Sequence, residues 1–308
     1  MTDLLCMGEP MLEFNQMPLG ADGRRLYLEG HGGDASNAAI AAVRSGARAG
    51  MLTALGDDRP GAAFRALWRA EGVDDSAVRT DPRAPTGIYF VTHDAEGHHF
   101  TFHRKGSAAA QLGPADLPEA AIRTARVLHL SGITLGISES SCDAAFRAMD
   151  IVKQAGGLVS FDTNLRLRLW PLRRAAALTH AAAALADILF PSLEDARVLT
   201  ALEGVEEIAA FYLDLCPLVL LKLGRDGLLV ATREGSTRIA GHGVAAVDAT
   251  GAGDTLAGAF LARRLAGDGI MAAATYANAA AALSTTGYGA VAPIPDEAVV
   301  RAWLASRG

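Results

Sequence analysis

The sequence predicts an α/β domain built on a largely parallel sheet with helices on both faces. Short apolar runs alternate with helical stretches along most of the 308 residues, and no internal repeat, low-complexity block or long linker interrupts them. Such alternation is typical of parallel sheets covered by helices. A chain of this length can bury one large core. We therefore expect a single domain over residues 1–308.

The predicted elements follow one another in chain order. Strands are expected at residues 4–7, 49–54, 127–130, 158–161, 188–190, 218–221 and 228–231, and helices from residue 37 and through 62–70 and 144–154. Two regions depart from the alternation. Residues 11–29 are polar and punctuated by glycine, and residues 87–105 show a hairpin pattern with strands at 88–92 and 100–104. Because an inserted hairpin needs a surface to cover, these two segments predict a small β-sheet lid.

The register of the hairpin decides which lid side chains act together. If the turn centres on Ala95 and Glu96, Tyr89 pairs with Phe102. Side chains alternate between the faces of a sheet, so Tyr89, Phe102 and Arg104 then share one face. A slip of one residue would reverse that arrangement.

Composition argues against several classes of protein. The formal net charge of −6 disfavours general binding to nucleic acid or acidic membranes. Cys6, Cys142 and Cys216 are scattered, and the amino terminus lacks a signal-peptide pattern, so we expect a reduced, cytoplasmic protein. The longest apolar stretches are short and alanine-rich, and they indicate helix faces rather than membrane spans.

The most informative segment covers residues 247–260. A glycine-rich turn, Gly251-Ala252-Gly253, leads to Asp254 at the start of an Ala/Leu-rich helix. The N–H groups of such a turn point toward one place, where the helix adds its positive dipole end. A carboxylate beside an anion hole suits phosphoryl transfer to a hydroxyl. The alternative for an acid at this position is a helix cap.

A second glycine-rich segment lies far earlier in the chain. Gly32 and Gly33 precede an Ala-rich helix with Asn37 in its first turn. Glycine lets the backbone approach a ligand closely, and an asparagine side chain both donates and accepts hydrogen bonds. Taken alone, the segment also fits a helix capped by Asp34 or Ser36.

Together the two segments resemble the signatures of the ribokinase-like (PfkB) family of sugar kinases, in the family's order. The family's Asp-Thr-Gly-Ala-Gly-Asp occurs here with an inserted alanine, as Asp248-Ala249-Thr250 before the glycines. The resemblance implies an α/β, ribokinase-like three-layer αβα sandwich with a mostly parallel sheet and a small β-sheet lid. It also implies an ATP-dependent kinase.

The same resemblance assigns roles at both segments. Asp254 is implied to be the catalytic base and also to touch the substrate. The turn of Gly251, Ala252 and Gly253 is implied to form the anion hole for the transferred phosphoryl group of ATP. Gly33 and Asn37 are implied to line the sugar site.

Further segments resemble the 2-keto-3-deoxygluconate kinase branch of the family. They are Asp162-Thr163-Asn164-Leu165-Arg166, Leu169-Trp170-Pro171, Arg104-Lys105-Gly106-Ser107 and Gly8-Glu9-Pro10-Met11. A sugar acid needs a cation for its carboxylate, and arginine binds carboxylates in bidentate fashion. We therefore expect Arg104 and Arg166 to converge on the substrate carboxylate, with Tyr89 and Phe102 lining the same site.

The nucleotide side carries a weaker pattern. Lys222, Gly224 and Gly227 follow a predicted strand and resemble the family's nucleotide-binding loop, while no Walker sequence occurs. The resemblance also places Asn278 near the adenine, and Asn164 is expected at ATP.

The implied cation sites show one departure from the family. Its Asn-x-x-Glu, which organises water around Mg2+, is replaced here by Ser192 and Asp195, with Glu194 between them. A hydroxyl and a shorter acid still hold metal-bound waters, so we expect Asp195 to bind Mg2+ through water, while the roles of Glu194 and Asp195 stay open. The loop at Asp248 and Thr250 resembles a monovalent-cation loop, which makes K+ a candidate cofactor.

Three functions are open at this stage. The first is ATP-dependent phosphorylation of 2-keto-3-deoxygluconate to its 6-phosphate, and the second is phosphorylation of a neutral sugar such as fructose or ribose. The third is non-catalytic sugar binding, for which loss of the base or the anion hole would be expected, yet both are present. A homo-oligomer, a dimer or higher, is also expected because the edges of a lid sheet need covering.

Overall fold

The computed structural model describes residues 2–94 and 97–307. Its strands are β1 (Leu4–Met7), β2 (Met11–Gln16), β3 (Tyr27–Gly32), β4 (Ala49–Gly56), β5 (Val78–Asp81), β6 (Gly87–Asp94), β7 (Gly97–His103), β8 (Val127–Ser131), β9 (Leu158–Asp162), β10 (Ile188–Phe190), β11 (Leu218–Lys222), β12 (Gly227–Thr232) and β13 (Gly235–Ala240). Its α-helices are α1 (Asp34–Arg44), α2 (Arg59–Glu71), α3 (Ala108–Gln111), α4 (Glu119–Thr124), α5 (Gly132–Gly136), α6 (Glu139–Gln154), α7 (Leu172–Leu185), α8 (Leu193–Thr200), α9 (Val205–Leu213), α10 (Ala252–Leu265), α11 (Ile270–Ser284) and α12 (Glu297–Ala305). Every predicted strand of the large sheet is confirmed.

The large sheet in the described part of the chain has the strand order β13-β12-β11-β10-β9-β8-β1-β4-β5. Neighbours from β11 to β5 pair in parallel, and β12 and β13 add an antiparallel edge. The predicted α/β fold with a mostly parallel sheet is therefore confirmed.

Helices cover both faces of this sheet, because its strands are apolar on both sides. In β1, Leu5 and Met7 belong to the core that includes α6 and α7. Leu4 and Cys6 belong to the core that includes α1, α10 and α11. Alternate side chains of β1 thus belong to two separate cores, one on each face of the sheet. The sheet with helices on both faces forms a three-layer sandwich.

The small sheet has the strand order β3-β2-β6-β7. The predicted hairpin is confirmed as β6 and β7, and Tyr89 pairs with Phe102 as predicted. The predicted turn centre, Ala95 and Glu96, lies outside the described residues. The first lid segment reaches Gly32, three residues beyond the predicted end.

Close contact between α1 and α10 brings the two glycine-rich segments together. A Cβ at Gly258 in α10 would collide with the backbone carbonyl of Ala38 in α1, so glycine at this position lets the helices touch. At the start of α1, Gly33 has φ 121, and α1 begins at Asp34 rather than at Asn37. The two helix starts therefore lie side by side at one end of the sheet.

Candidate active site

A cavity of about 810 Å³ opens beyond the carboxyl ends of the parallel strands, with the small sheet over it. Ligands of doubly wound sheets bind at this end. Of the residues expected at the site, those lining the cavity are Gly33, Asn37, Tyr89, Phe102, Arg104, Asn164, Arg166, Asp195, Lys222, Gly224, Thr250, Gly251, Gly253 and Asp254. Residues from opposite ends of the sequence thus meet in one space.

Asp254 lies in the first turn of α10 and faces the cavity. The cap position belongs to Gly251, with φ 77 and no side-chain cap bond, so the alternative reading of Asp254 as a helix cap is wrong. Instead, its Oδ2 accepts a hydrogen bond of 2.8 Å from Nδ2 of Asn37. The carboxylate is held by a neighbouring helix and keeps an oxygen for a ligand.

The turn before Asp254 offers free backbone donors. Within the described residues, no acceptor is found for the N–H groups of Gly251, Gly253 and Asp254. The N–H of Ala252, in contrast, donates to the carbonyl of Ala249 at 3.2 Å. Free N–H groups at a helix start form a site for an anion. The amides of Gly251, Gly253 and Asp254 are therefore available to an anion, whereas that of Ala252, which was expected in the anion hole, is not.

Its surroundings raise the pKa of Asp254 to about 7, chiefly because burial penalises the charged carboxylate. The carboxylate of Asp34 raises this pKa further, whereas the hydrogen bond from Asn37 and the charge of Lys222 lower it. A carboxylate with a pKa near neutrality is matched to accepting a proton from a hydroxyl.

Lys222 lies next to the anion site. Its Nζ donates to Oδ2 of Asp162 at 2.6 Å, and both side chains are largely buried. A Cβ built on Gly253 would lie 3.2 Å from the same Nζ. The ammonium group is thus held by Asp162 beside the turn that offers free N–H groups.

Asp162 also shapes the loop that follows β9. Its Oδ1 accepts from the N–H of Asn164 at 3.1 Å, and Asn164 has the uncommon φ of 31. The side chain of Asn164 donates to Asp34 at 3.2 Å, and the carboxylate of Asp195 accepts from the N–H of Leu165 at 3.0 Å. Three carboxylates therefore hold a strained loop in place at the cavity floor.

Aromatic side chains of the lid cover the cavity. Phe102 lines it and lies beneath the guanidinium of Arg104, 5.9 Å from the ring centroid. Tyr89 is packed against Gly32, where any Cβ would collide with its ring, and its hydroxyl donates to Glu13. These side chains share one face, as predicted.

The two expected arginines differ in their surroundings. Nε of Arg104 donates to Oε2 of Glu9 at 2.7 Å, and its side chain is 14% exposed. Arg166 is exposed and donates to the carbonyl of Leu165, and it has no ion pair in the described part of the chain. Arg104 is therefore electrically compensated by the protein, and Arg166 is not.

Four expected residues do not line the cavity: Ala252, Gly227, Asn278 and Asp248. Gly227 has φ 99, and a Cβ there would collide with the carbonyl of Ile239. Nδ2 of Asn278 donates to the carbonyl of Ala240 at 2.9 Å. Both residues hold the edge strands in place beside the cavity.

Asp248 and Thr250 lie just before the glycine-rich turn of residues 251–253 and are linked by hydrogen bonds. Oδ1 of Asp248 accepts from the N–H of Thr250 at 2.9 Å and from its hydroxyl, and Oδ2 accepts from the N–H of Gly289 at 2.9 Å. This carboxylate therefore ties the turn to the loop at Gly289.

The structure adds three acids that sequence reasoning did not assign to the site: Glu9, Asp34 and Asp162. All three line the cavity. Asp162 ends a buried strand, which is a usable signal for a site residue in a parallel sheet. The neighbours of Glu9 and Asp34 come from distant parts of the chain, so no local pattern could identify their roles.

Comparison with known proteins agrees with this geometry. Residues 1–297 match the model of the pfkB family of carbohydrate kinases. The 2-dehydro-3-deoxygluconokinase of Thermoproteus tenax is 36% identical over 97% of this chain and 93% of that protein. Fructokinase-1 of Oryza sativa subsp. japonica is 34% identical over 96% of each. The solved fructokinase of Vibrio cholerae O395, with fructose, ADP and calcium bound, has a TM-score of 0.86 at 31% identity and covers 99% of each chain.

The match extends across almost the whole chain, and the relatives share its architecture as well as its sequence. The described residues include no helix long and apolar enough to cross a membrane. The protein therefore belongs to the pfkB family of carbohydrate kinases, and it is a sugar kinase.

Proposed function

We propose that this kinase transfers a phosphoryl group from ATP to the primary hydroxyl of 2-keto-3-deoxygluconate, the sugar acid named in the Thermoproteus relative, to give the 6-phosphate. The observation that carries the choice of a sugar acid is Arg166. It lines the cavity without an ion pair in the described part of the chain. An arginine of this kind offers a substrate carboxylate a bidentate partner.

Asp254 acts as the base in this proposal. Its carboxylate accepts the proton of the attacking hydroxyl while Asn37 fixes its orientation at 2.8 Å. With a pKa of about 7 the carboxyl group is partly deprotonated near neutral pH, and its deprotonated form is a stronger base than an ordinary carboxylate. The oxygen of the hydroxyl then attacks the γ-phosphorus of ATP, and ADP leaves.

The phosphoryl group is held by fixed positive charge. The free N–H groups of Gly253 and Asp254 point out of the start of α10, and Lys222 lies beside them. These donors are in place before reaction, so they stabilise the charge of the transferring group without reorganising. Lys222 is held by Asp162 and can turn toward the phosphates.

Mg2+ is the proposed metal, bound through the phosphates of ATP. No group of three acidic, histidine or cysteine side chains in the described ranges could cage a metal. Magnesium instead keeps several waters and uses one or two carboxylates together with phosphate oxygens, and Glu194 and Asp195 line the cavity. These residues fit a water-mediated site, where the metal when bound neutralises phosphate charge.

A neutral sugar is the second candidate substrate. The rice fructokinase is nearly as similar to this chain as the gluconokinase. In addition, Glu9 already compensates the charge of Arg104, whereas Arg166 and Arg168 line the cavity without an ion pair in the described part of the chain. The two candidates therefore differ in whether these cations meet a substrate carboxylate or water.

The test is an ADP-release assay with 2-keto-3-deoxygluconate, fructose and ribose. We expect the sugar acid to be preferred by orders of magnitude in kcat/KM. Arg166→Ala should weaken binding of the acid substrate roughly ten- to hundredfold, because a charge-assisted hydrogen bond is lost. The same variant should barely change the activity on neutral sugars. Arg173→Ala is the matched control, since this exposed arginine of α7 also has no ion pair in the described part of the chain but does not line the cavity. An equal loss on both substrate classes in Arg166→Ala would favour the neutral-sugar kinase.

Three further features are part of the proposal. K+ is proposed at the loop of Asp248 and Thr250, to be tested by comparing activity in KCl and NaCl. A dimer or higher oligomer is proposed because the lid exposes Leu26 and Leu28 at 50% and 60%. Cytoplasmic location is supported by free, buried cysteines, and no nucleic-acid or membrane partner is proposed.

A further inference from the structure

We propose that Glu9 determines how strongly the cavity selects acidic over neutral sugars, because it cancels the charge of Arg104 while holding its guanidinium in place. The proposal rests on the sugar-kinase function proposed above. It assigns Glu9 a positioning and charge-setting role, and it requires no contact between Glu9 and substrate.

The contacts of Glu9 are those of a residue built into the base of the lid. It follows β1 and is 1% exposed. Oε2 accepts from Nε of Arg104 at 2.7 Å and also contacts Nη2, while Oε1 accepts from the hydroxyl of Ser107. Arg104 follows the last lid strand, β7. The ion pair therefore joins the lid to the carboxyl end of β1 in the large sheet.

Two glycines make room for Glu9. A Cβ at Gly87 would lie 3.0 Å from Oε1, and a Cβ at Gly33 would lie 2.7 Å from the carbonyl of Glu9. Burial raises the pKa of Glu9, and the charge of Arg104 is the largest effect that opposes this rise. A buried carboxylate without its partner would be strongly unfavourable, so the acid and the arginine function as a unit.

A guanidinium has five N–H donors, and Glu9 engages Nε and Nη2. The rest of the group remains available to a ligand, since Arg104 lines the cavity. Arg104 thus offers oriented hydrogen-bond donors but little net charge. Hydroxyl, keto and carboxylate oxygens can all accept these hydrogen bonds. Selection for an acid then depends on Arg166 and Arg168, which line the cavity without an ion pair in the described part of the chain.

Glu9→Gln removes the compensating charge and preserves the shape. The Gln amide oxygen can accept from Arg104, and its NH2 group can donate to Ser107, whose hydroxyl also accepts hydrogen bonds. The positive charge of Arg104 is then uncompensated at the cavity wall. We expect the ratio of kcat/KM for 2-keto-3-deoxygluconate to kcat/KM for fructose to rise about tenfold. The change should lie in KM for the acid, with kcat nearly unchanged.

The matched control is Glu71→Gln, which also removes a carboxylate from an arginine pair. Glu71 binds Arg44 at 2.7 and 2.9 Å, away from the cavity lining. It should leave the ratio unchanged. A ratio that is unchanged or lowered in Glu9→Gln would overturn the proposal. A wild type without acid preference would instead refute the proposed substrate, while the direction of the Glu9→Gln change would still test Glu9.

A second variant covers the case in which Glu9→Gln does not fold. Glu9→Gln/Arg104→Gln replaces the ion pair by two neutral amides and leaves no unpaired charge. We expect activity on both sugars to fall together, with their ratio within about threefold of the wild type, because the pair adds little net charge. A fall in the ratio as large as that of Arg166→Ala would show that Arg104 acts as a net charge, and it would overturn the proposal.

Discussion

Asp254→Asn separates the proposed catalytic role of this carboxylate from its effect on stability. Asparagine keeps the size of the side chain and can still accept the hydrogen bond from Asn37, but it cannot take a proton from the substrate. Loss of a general base lowers the rate on the order of 10²–10⁴-fold. We expect kcat to fall by that factor while the sugar still binds.

The stability effect follows from the raised pKa. A rise from the ordinary 3.8 to about 7 means that the folded protein holds this proton more tightly than the unfolded chain. The wild type therefore loses stability as pH rises from about 4 to 7, by about 4 kcal/mol in all. The Asn variant has no such group. Its stability advantage over the wild type should grow by roughly 2 to 3 kcal/mol between pH 5 and pH 8.

The assay is urea unfolding of both proteins at pH 5, 6, 7 and 8, beside turnover with the sugar acid. Asp143→Asn, on the exposed face of α6, is measured beside it to show how much of the difference comes from removing a surface carboxylate. A constant difference for Asp254→Asn would refute the reasoning about burial and charge. Near-normal turnover would show that Asp254 is not the base.

Three other predictions test the phosphoryl side and the lid. Gly253→Val should lower turnover far more than melting temperature, because its side chain meets Nζ of Lys222 while the backbone is helical; a collapsed melting temperature would instead assign the glycine to folding. Lys222→Met should weaken ATP binding roughly ten- to hundredfold. Because Lys222 lowers the pKa of Asp254, this variant should also move the acidic limb of the pH profile of kcat/KM to higher pH, and an unmoved limb would contradict that coupling. Hydrogen exchange should show protection gained across residues 88–94 and 97–104 when the sugar acid binds, and unchanged exchange would contradict closure of a lid.

Much of the fold could be predicted from the sequence, because strand and helix patterns are local. The strands of the large sheet and the pairing of Tyr89 with Phe102 follow from apolar runs and from the position of one turn. The glycine-rich turn before α10 could also be predicted, since Gly251, Gly253 and Asp254 lie close together in the chain. In each of these cases the physical cause lies within a few residues.

The compensation of charge could not be predicted in this way. Lys222 and its partner Asp162 are 60 positions apart, and Arg104 is 95 positions from Glu9. Which acid meets which base depends on strand order, and strand order is a tertiary property. Counting the arginines in motifs therefore overestimates the positive charge that a substrate meets.

That difference changes how acid selectivity should be inferred in such a cavity. Two of its cations, Arg104 and Lys222, are paired with buried carboxylates of the protein, so each is held in place and adds little to the net field. A cation that is held in place directs its hydrogen bonds, and its side chain loses less conformational entropy when a ligand binds. Both effects favour binding of any polar sugar, whether acidic or neutral. Binding of a substrate carboxylate is strengthened only where a cation lacks an internal partner, as Arg166 and Arg168 do in the described part of the chain. We therefore expect the proposed preference for sugar acids to depend on the acids that surround each arginine. Substitution of Glu9 changes this balance without removing an arginine.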